Sequence, residues 1–180
     1  MKHNVIENVL TAREIEQIST AYRYGPRYMY SHAPFHQYVN EVYDIERIQA
    51  RVTVHFVKGQ PYKNTAQLRK EVNNGLLRVS TDYNNDPFLP EGLNLKFRAL
   101  HDLHHAQTED CNFNLAGEIC AYSLAARHTR SALIRDWLFT EIVGQVCALR
   151  QYGEFPVQRV TILPSNFRQI ADKAYGLSYV

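Results

Sequence analysis

FRALHDLHHA, residues 97–106, is the stretch on which the reading of the whole chain turns. Phe97, Leu100, Leu103 and Ala106 recur at intervals of three and draw an apolar stripe down a helix. His101, Asp102, His104 and His105 crowd into five positions of the same helix. His101 and His105 are four apart, so their imidazoles share a face. Two neutral imidazoles placed in this way can hold one metal ion, as the two histidines of an HExxH helix do. His104 also shares a face with His101, at three-residue spacing, and competes with His105 for the second place. A third ligand has to come from another segment.

The remainder of the 180 residues supplies a setting for that helix. With 45% hydrophobic and 21% charged residues the composition is that of a soluble globular protein able to bury a core. A formal charge of +2, with no Lys/Arg stripe, argues against nucleic acid as a partner. No apolar run approaches the roughly 18 residues a membrane span requires, and the N-terminus MKHNVIENVLTAREIEQ lacks the apolar region of a signal peptide. Cys111, Cys120 and Cys147 show no CxxC spacing, which points to a reducing, cytoplasmic setting and to inert core thiols. A homo-oligomer is compatible with all of this, and a small-molecule substrate is the expected partner.

Thr11 and Glu14 form a capping box, so a helix is expected from about residue 12 to 24, stopped by Gly25-Pro26. The aromatic segment 26–34, with Arg27, Tyr28, Tyr30 and His32, reads as a lid or an ordered loop. A second helix over 34–50 takes Pro34 in its first turn and Tyr38, Val42, Tyr43, Ile45 and Ile48 as its apolar face. The period then changes. RVTVHFV (51–57) alternates and is rich in β-branched residues, which is a strand. A short helix capped by Asn64 or Thr65 and a second strand over 76–80 complete a β-α-β unit whose strands can pair in parallel. Residues 82–92, with Asn84, Asn85, Asp86, Pro87 and Pro90, read as a loop. Helices follow over 115–127, 131–152 and 166–173, the longest with Leu133, Leu138, Ile142, Val143, Val146 and Leu149 as core positions. The expected fold is mainly α with a small β element: a helical bundle carrying a His/Glu metal site in one domain. An N-terminal helical segment, 1–50, packs on a metal-site region, 51–180.

Two carboxylates qualify as partners for the histidines. Glu141 lies between Phe139 and Ile142-Val143, where an unpaired charge would cost several kcal/mol, a cost that a metal ion would remove. Gln145, one turn on, shares its face. Glu118 follows Gly117 in the first turn of its helix, where the helix dipole favours negative charge. The expected ligands are therefore His101, His105 and Glu141, with Glu118 as fourth ligand or general base. Asp102 points off the His101/His105 face and is suited to accept a ring N–H or to pair with Arg98. With Glu118 and Gln145 it makes up the candidate catalytic set. Two His with one or two Glu suit Zn²⁺, Fe²⁺ or Mn²⁺.

NLKFRALHDLHHA, FNLAGEICAY and FTEIVGQVCALRQYG, in that order, resemble a domain of unknown function found in large polyvalent proteins of bacteriophages and in bacterial relatives. Its pattern runs FRAVHD-x-x-GH, F-x-x-GE-x-A and TE-x-x-GQ. The run VHFVKGQPYKN…GLLRVSTDYNNDPFLP is similar as well, so the likeness spans about residues 51–164. It implies a metal centre at His101, Asp102, His105, Gly117-Glu118, Glu141 and Gly144-Gln145, and supplies no reaction. The glycine of HDxxGH is replaced here by His104, which leaves the second ligand open between His104 and His105. The trio His101, His105 and Glu141, in WLFTEIVG, also resembles the iron site of aromatic amino acid hydroxylases over a few residues. LHDLHHA is similar to the LHDxGH helix of HD phosphohydrolases, for which His36 or His55 and Asp136 would have to complete the set.

The expected function is that of a metal-dependent enzyme, hydrolytic or of the non-haem iron type. The plainer alternative is a non-catalytic module in which the same polar cluster ties helices together or meets a partner protein.

Overall fold

The computed structural model describes residues 8–26, 28, 31–82, 84, 89–109, 111–154 and 161–177. Arg27 and Tyr30 of the aromatic segment, and Asn85, Asp86 and Pro87 of the 82–92 loop, lie outside them. The fold is mostly helical with a small two-stranded parallel sheet in a single domain.

Helix α1 (Ala12–Tyr24) begins where the capping box places it. Thr11 N donates to Glu14 Oε2 at 2.6 Å, and Glu14 N donates to Thr11 Oγ1 at 3.3 Å. Ile15, Ile18, Ser19 and Tyr22 form its buried stripe. Thr11→Ala should lower stability by about 1 kcal/mol. The single tryptophan, Trp137, is 1% exposed and reports unfolding by its fluorescence. An unchanged midpoint in a denaturant titration would contradict this.

Helix α2 (Ala33–Ala50) buries Phe35, Tyr38, Val39, Val42, Tyr43 and Glu46. Ile45 and Ile48, expected on that face, are exposed. Each stands about 100° round the helix from its preceding neighbour, so the i, i+3, i+4 progression from Phe35 reaches Glu46 instead.

Strands β1 (Thr53–Val57) and β2 (Leu76–Ser80) flank α3 (Thr65–Asn73) and pair in parallel, with Thr53 opposite Leu76 and Val57 opposite Ser80. Helix α4 (Glu91–Ala106) carries the HDLHH stretch and starts at Pro90, inside the segment expected to be loop. Proline suits a helix start because its missing N–H has no helical partner there. Next come α5 (Leu115–Ala126), α6 (Ala132–Phe139), a π turn (Thr140–Gly144), α7 (Gln145–Tyr152) and α8 (Ser165–Ala174).

The π turn joins α6 and α7 into one continuous rod and changes its register. Ile142 and Val143 are buried as expected, but beyond the turn Cys147 and Ala148 face the core while Val146 and Leu149 are only half-buried. An inserted residue in the hydrogen-bond ladder rotates the helix face that follows it.

Helix α4 lies between two cores. Phe97 and Leu100 enter the larger one, with α1, α2, α5 and the α6–α7 rod. Ala99 and Leu103 enter a smaller one beneath the sheet, with Tyr43, Val52, Tyr62, Leu68, Leu77 and Val79. Of the tyrosines between residues 22 and 43, Tyr22, Tyr38 and Tyr43 are buried and Tyr28 meets Trp137 edge-on at 4.9 Å, while Tyr24 is exposed. Among the described residues no helix is long and apolar enough to cross a membrane.

Candidate metal centre

His101 and His105 meet Glu118 between α4 and α5. His101 Nε2 lies 2.8 Å from Glu118 Oε2, His105 Nε2 lies 3.3 Å from the same oxygen, and the two nitrogens are 3.1 Å apart. A cation with bonds of about 2.0–2.1 Å spaces its ligands by about 3.3 Å in a tetrahedron and about 2.9 Å in a cis-octahedral arrangement. The sides of the triangle, 2.8, 3.1 and 3.3 Å, lie close to these spacings.

Local folding puts each donor in place. On α4 the four-residue spacing brings the two rings within 4.6 Å, centroid to centroid. Helix α5 opens with Asn114, whose side chain accepts from Gly117 N at 2.9 Å, and Glu118 follows in the first turn. Residues 111–114 fold back over the helix start. There the His105 Nδ1–H donates to the Cys111 carbonyl at 3.0 Å, which turns the lone pair of Nε2 toward Glu118. Cys111 Sγ donates to the Gly117 carbonyl, and Asn112 Oδ1 accepts from Thr65 Oγ1 at 2.7 Å, which ties the loop to α3. Gly117 is required by a close approach: a Cβ there would stand 1.8 Å from the Asn112 carbonyl oxygen.

The electrostatics suit a cation. Burial disfavours charge on Glu118, yet the imidazoles beside it outweigh burial and bring its carboxyl down to about 2. For His105, burial opposes the proton, while the Glu118 contact raises its pKa above the ordinary value. His105 is wholly buried, whereas about a quarter of the His101 side chain is exposed, so the centre opens on the His101 side. Phe113 stands at the rim, edge-on to His105 at 5.1 Å and itself exposed.

The other expected site residues stand elsewhere. Glu141 is not in the cluster with His101 and His105. It is buried on the π turn, and its Oε2 accepts from Gln145 Nε2 at 2.6 Å. The pair shares a face as expected, and the Gln145 amide meets the carboxylate. Glu118 supplies the carboxylate of the triangle in its stead. Asp102 is half-buried off the triangle, and burial pushes its carboxyl up to about 6. Arg98 turns to the Asp82 carbonyl at 2.7 Å rather than to Asp102. His104 points away from His101 and His105, so the triangle contains His105.

Sequence reasoning missed the Cys111 carbonyl, which as a main-chain group leaves no signal. It also missed a second cluster, Glu46, His104 and His128. The signal for Glu46 was present, as a glutamate in the apolar progression of α2. A shallow groove lined by Gln67, Lys70, Glu71, Asn74 and Arg78 includes no member of either cluster. Comparison of the chain with protein-family models, with curated proteins and with solved structures finds no match in any of the three.

Proposed function

We propose that this protein is a metal-dependent enzyme of the hydrolytic class, with a divalent transition metal held by His101, His105 and Glu118. The observation that carries the reading is the convergence of two imidazole nitrogens and one carboxylate oxygen within 3.3 Å of one another. With its Nδ1 proton on the Cys111 carbonyl, a neutral His105 brings the Nε2 lone pair to the point that His101 Nε2 and Glu118 Oε2 also reach, and a cation there can be bound by all three.

Two imidazoles and one glutamate, with further positions open, form a ligand set of catalytic rather than structural zinc, and suit Fe²⁺ and Mn²⁺ as well. Such an ion supplies Lewis acidity toward water and toward a carbonyl or phosphoryl oxygen. The chain holds the ion, fixes the His105 tautomer through Cys111, and leaves the His101 side accessible to a small substrate past Phe113. Hydrolysis asks for nothing beyond these parts, whereas oxygen chemistry asks also for a reductant. The resemblance to the polyvalent-protein domain supports the same three residues, which fall on its HDxxGH and GE positions.

Metal analysis of protein purified without added metal tests this. We expect transition metal at this centre, with one equivalent per chain lost in His101→Ala and in Glu118→Gln. Turnover of chromogenic esters or phosphoesters should be abolished by chelation and restored by Zn²⁺ or Mn²⁺. Only trace metal, with no uptake on titration, would refute the reading. Metal without turnover, and with stability the main loss in the variants, would shift it to the structural tie.

A further inference from the structure

Helix α4 presents His104 on a different side from His101 and His105, and there it faces α2 and the end of α5. His104 is 1% exposed, and both of its ring nitrogens are buried without a hydrogen-bond partner. A buried polar atom of this kind has given up its hydration without a bond in return. Beside it, His128 Nε2 lies 2.8 Å from Glu46 Oε1. One donor atom from each of Glu46, His104 and His128 lies within 4.8 Å of the others.

The surroundings orient the group. Gln107 Nε2 donates to Glu46 Oε2 at 2.7 Å, which leaves Oε1 to face the histidines. His128 follows α5, and its N–H donates to the Ala125 carbonyl at 3.1 Å. The Tyr38 hydroxyl donates to that same carbonyl at 2.7 Å and clamps the end of α5 to α2 beside Glu46. Glu46 is itself 6% exposed, in a stripe of α2 that is otherwise apolar. A surface ion pair of Glu46 with His128 needs neither this burial nor an empty-handed His104.

We propose that Glu46, His104 and His128 form a second divalent-metal site, separate from the His101/His105/Glu118 centre and sharing only α4 with it. Two imidazoles and a carboxylate select a Zn²⁺-class ion over Ca²⁺ or Mg²⁺, which prefer all-oxygen sites. His104 is the arm that closes on the ion, and a ring with no other bond gives up nothing in doing so. The exposed His128 forms the entry side.

Equilibrium dialysis of the full chain against Co²⁺, followed by elemental analysis, tests the site. Two Co²⁺ per chain are expected for the unaltered protein, one for His128→Ala, one for His101→Ala, and none for the two changes together. If His128→Ala does not fold, as judged by circular dichroism, Glu46→Gln replaces it, since the amide still accepts from Gln107. A single Co²⁺ that persists in His128→Ala and vanishes in His101→Ala overturns this second site and leaves the first standing. A single Co²⁺ with the opposite pattern sustains the second site and refutes the first. No bound Co²⁺ at all overturns both.

Discussion

Gly117→Ala should damage stability and metal binding together. The added methyl would stand 1.8 Å from the Asn112 carbonyl oxygen and 2.6 Å from the Asn112 nitrogen, and both are backbone atoms that cannot rotate away. Either α5 or the 111–114 segment has to move. That segment is fastened by Thr65 to Asn112 and by the Asn114 N–H to the Asn112 carbonyl at 2.8 Å, so relief in one place breaks bonds in another. Overpacking of this kind costs about 1–3 kcal/mol or more. Displacing Asn112 also displaces the Cys111 carbonyl that orients His105, and loss of such support typically weakens metal binding by about 10–100-fold. Denaturant titration and Zn²⁺ competition against a chromogenic chelator measure the two effects. Wild-type values in both would show that the chain passes Gly117 less closely than described.

The second large effect is expected far from the metal centre. Asp172 is fully buried and accepts from the Tyr122 hydroxyl at 2.5 Å and from the Arg168 guanidinium. Arg168 also donates its Nε–H to Asp136 at 2.5 Å, and Arg135 lies 4.0 Å from Asp172. Asp172→Ala would leave the buried Arg168 guanidinium with Asp136 in place of two carboxylates and take the acceptor from the buried Tyr122 hydroxyl, and breaking a buried pair from one side costs up to about 3–5 kcal/mol. Asp172→Asn keeps an acceptor for Tyr122 and should cost less. Unfolding followed by Trp137 fluorescence separates the two variants. A loss below about 1 kcal/mol in Asp172→Ala would mean that the network contributes little to stability.

What the sequence disclosed follows from how local the physics is. The helical pairing of His101 with His105 depends on spacing alone, and the structure brings the two together. Glu118 was legible because a glycine and a capping asparagine mark the helix start that positions it. The β-α-β unit was legible because the period of the apolar residues changes from helical to alternating. Glu141 was misjudged because an interior carboxylate signals only that some partner exists. The partner includes Gln145, four residues away on the same rod, while Glu118 reaches the histidines by the packing of α5 on α4. The π turn carries no local sequence mark, so the shift of the buried face to Cys147 and Ala148 could not be foreseen. The gathering of Glu46, His104 and His128 joins three elements far apart in the chain, and only Glu46, placed in an apolar stripe, hinted at it.

The packing of α1 has a consequence for the order in which the chain can assemble. Tyr22 of α1 sits against Gly144, where an added Cβ would lie 3.0 Å from Tyr22 Cδ2, so this contact closes a loop of about 120 residues. The strand pair from Thr53 to Leu76 closes one of about 23. By the logarithmic growth of loop entropy the first closure costs about 1.5 kcal/mol more than the second. The parallel strand pair can therefore be in place early, while α1 docks only once the long rod it leans on has formed.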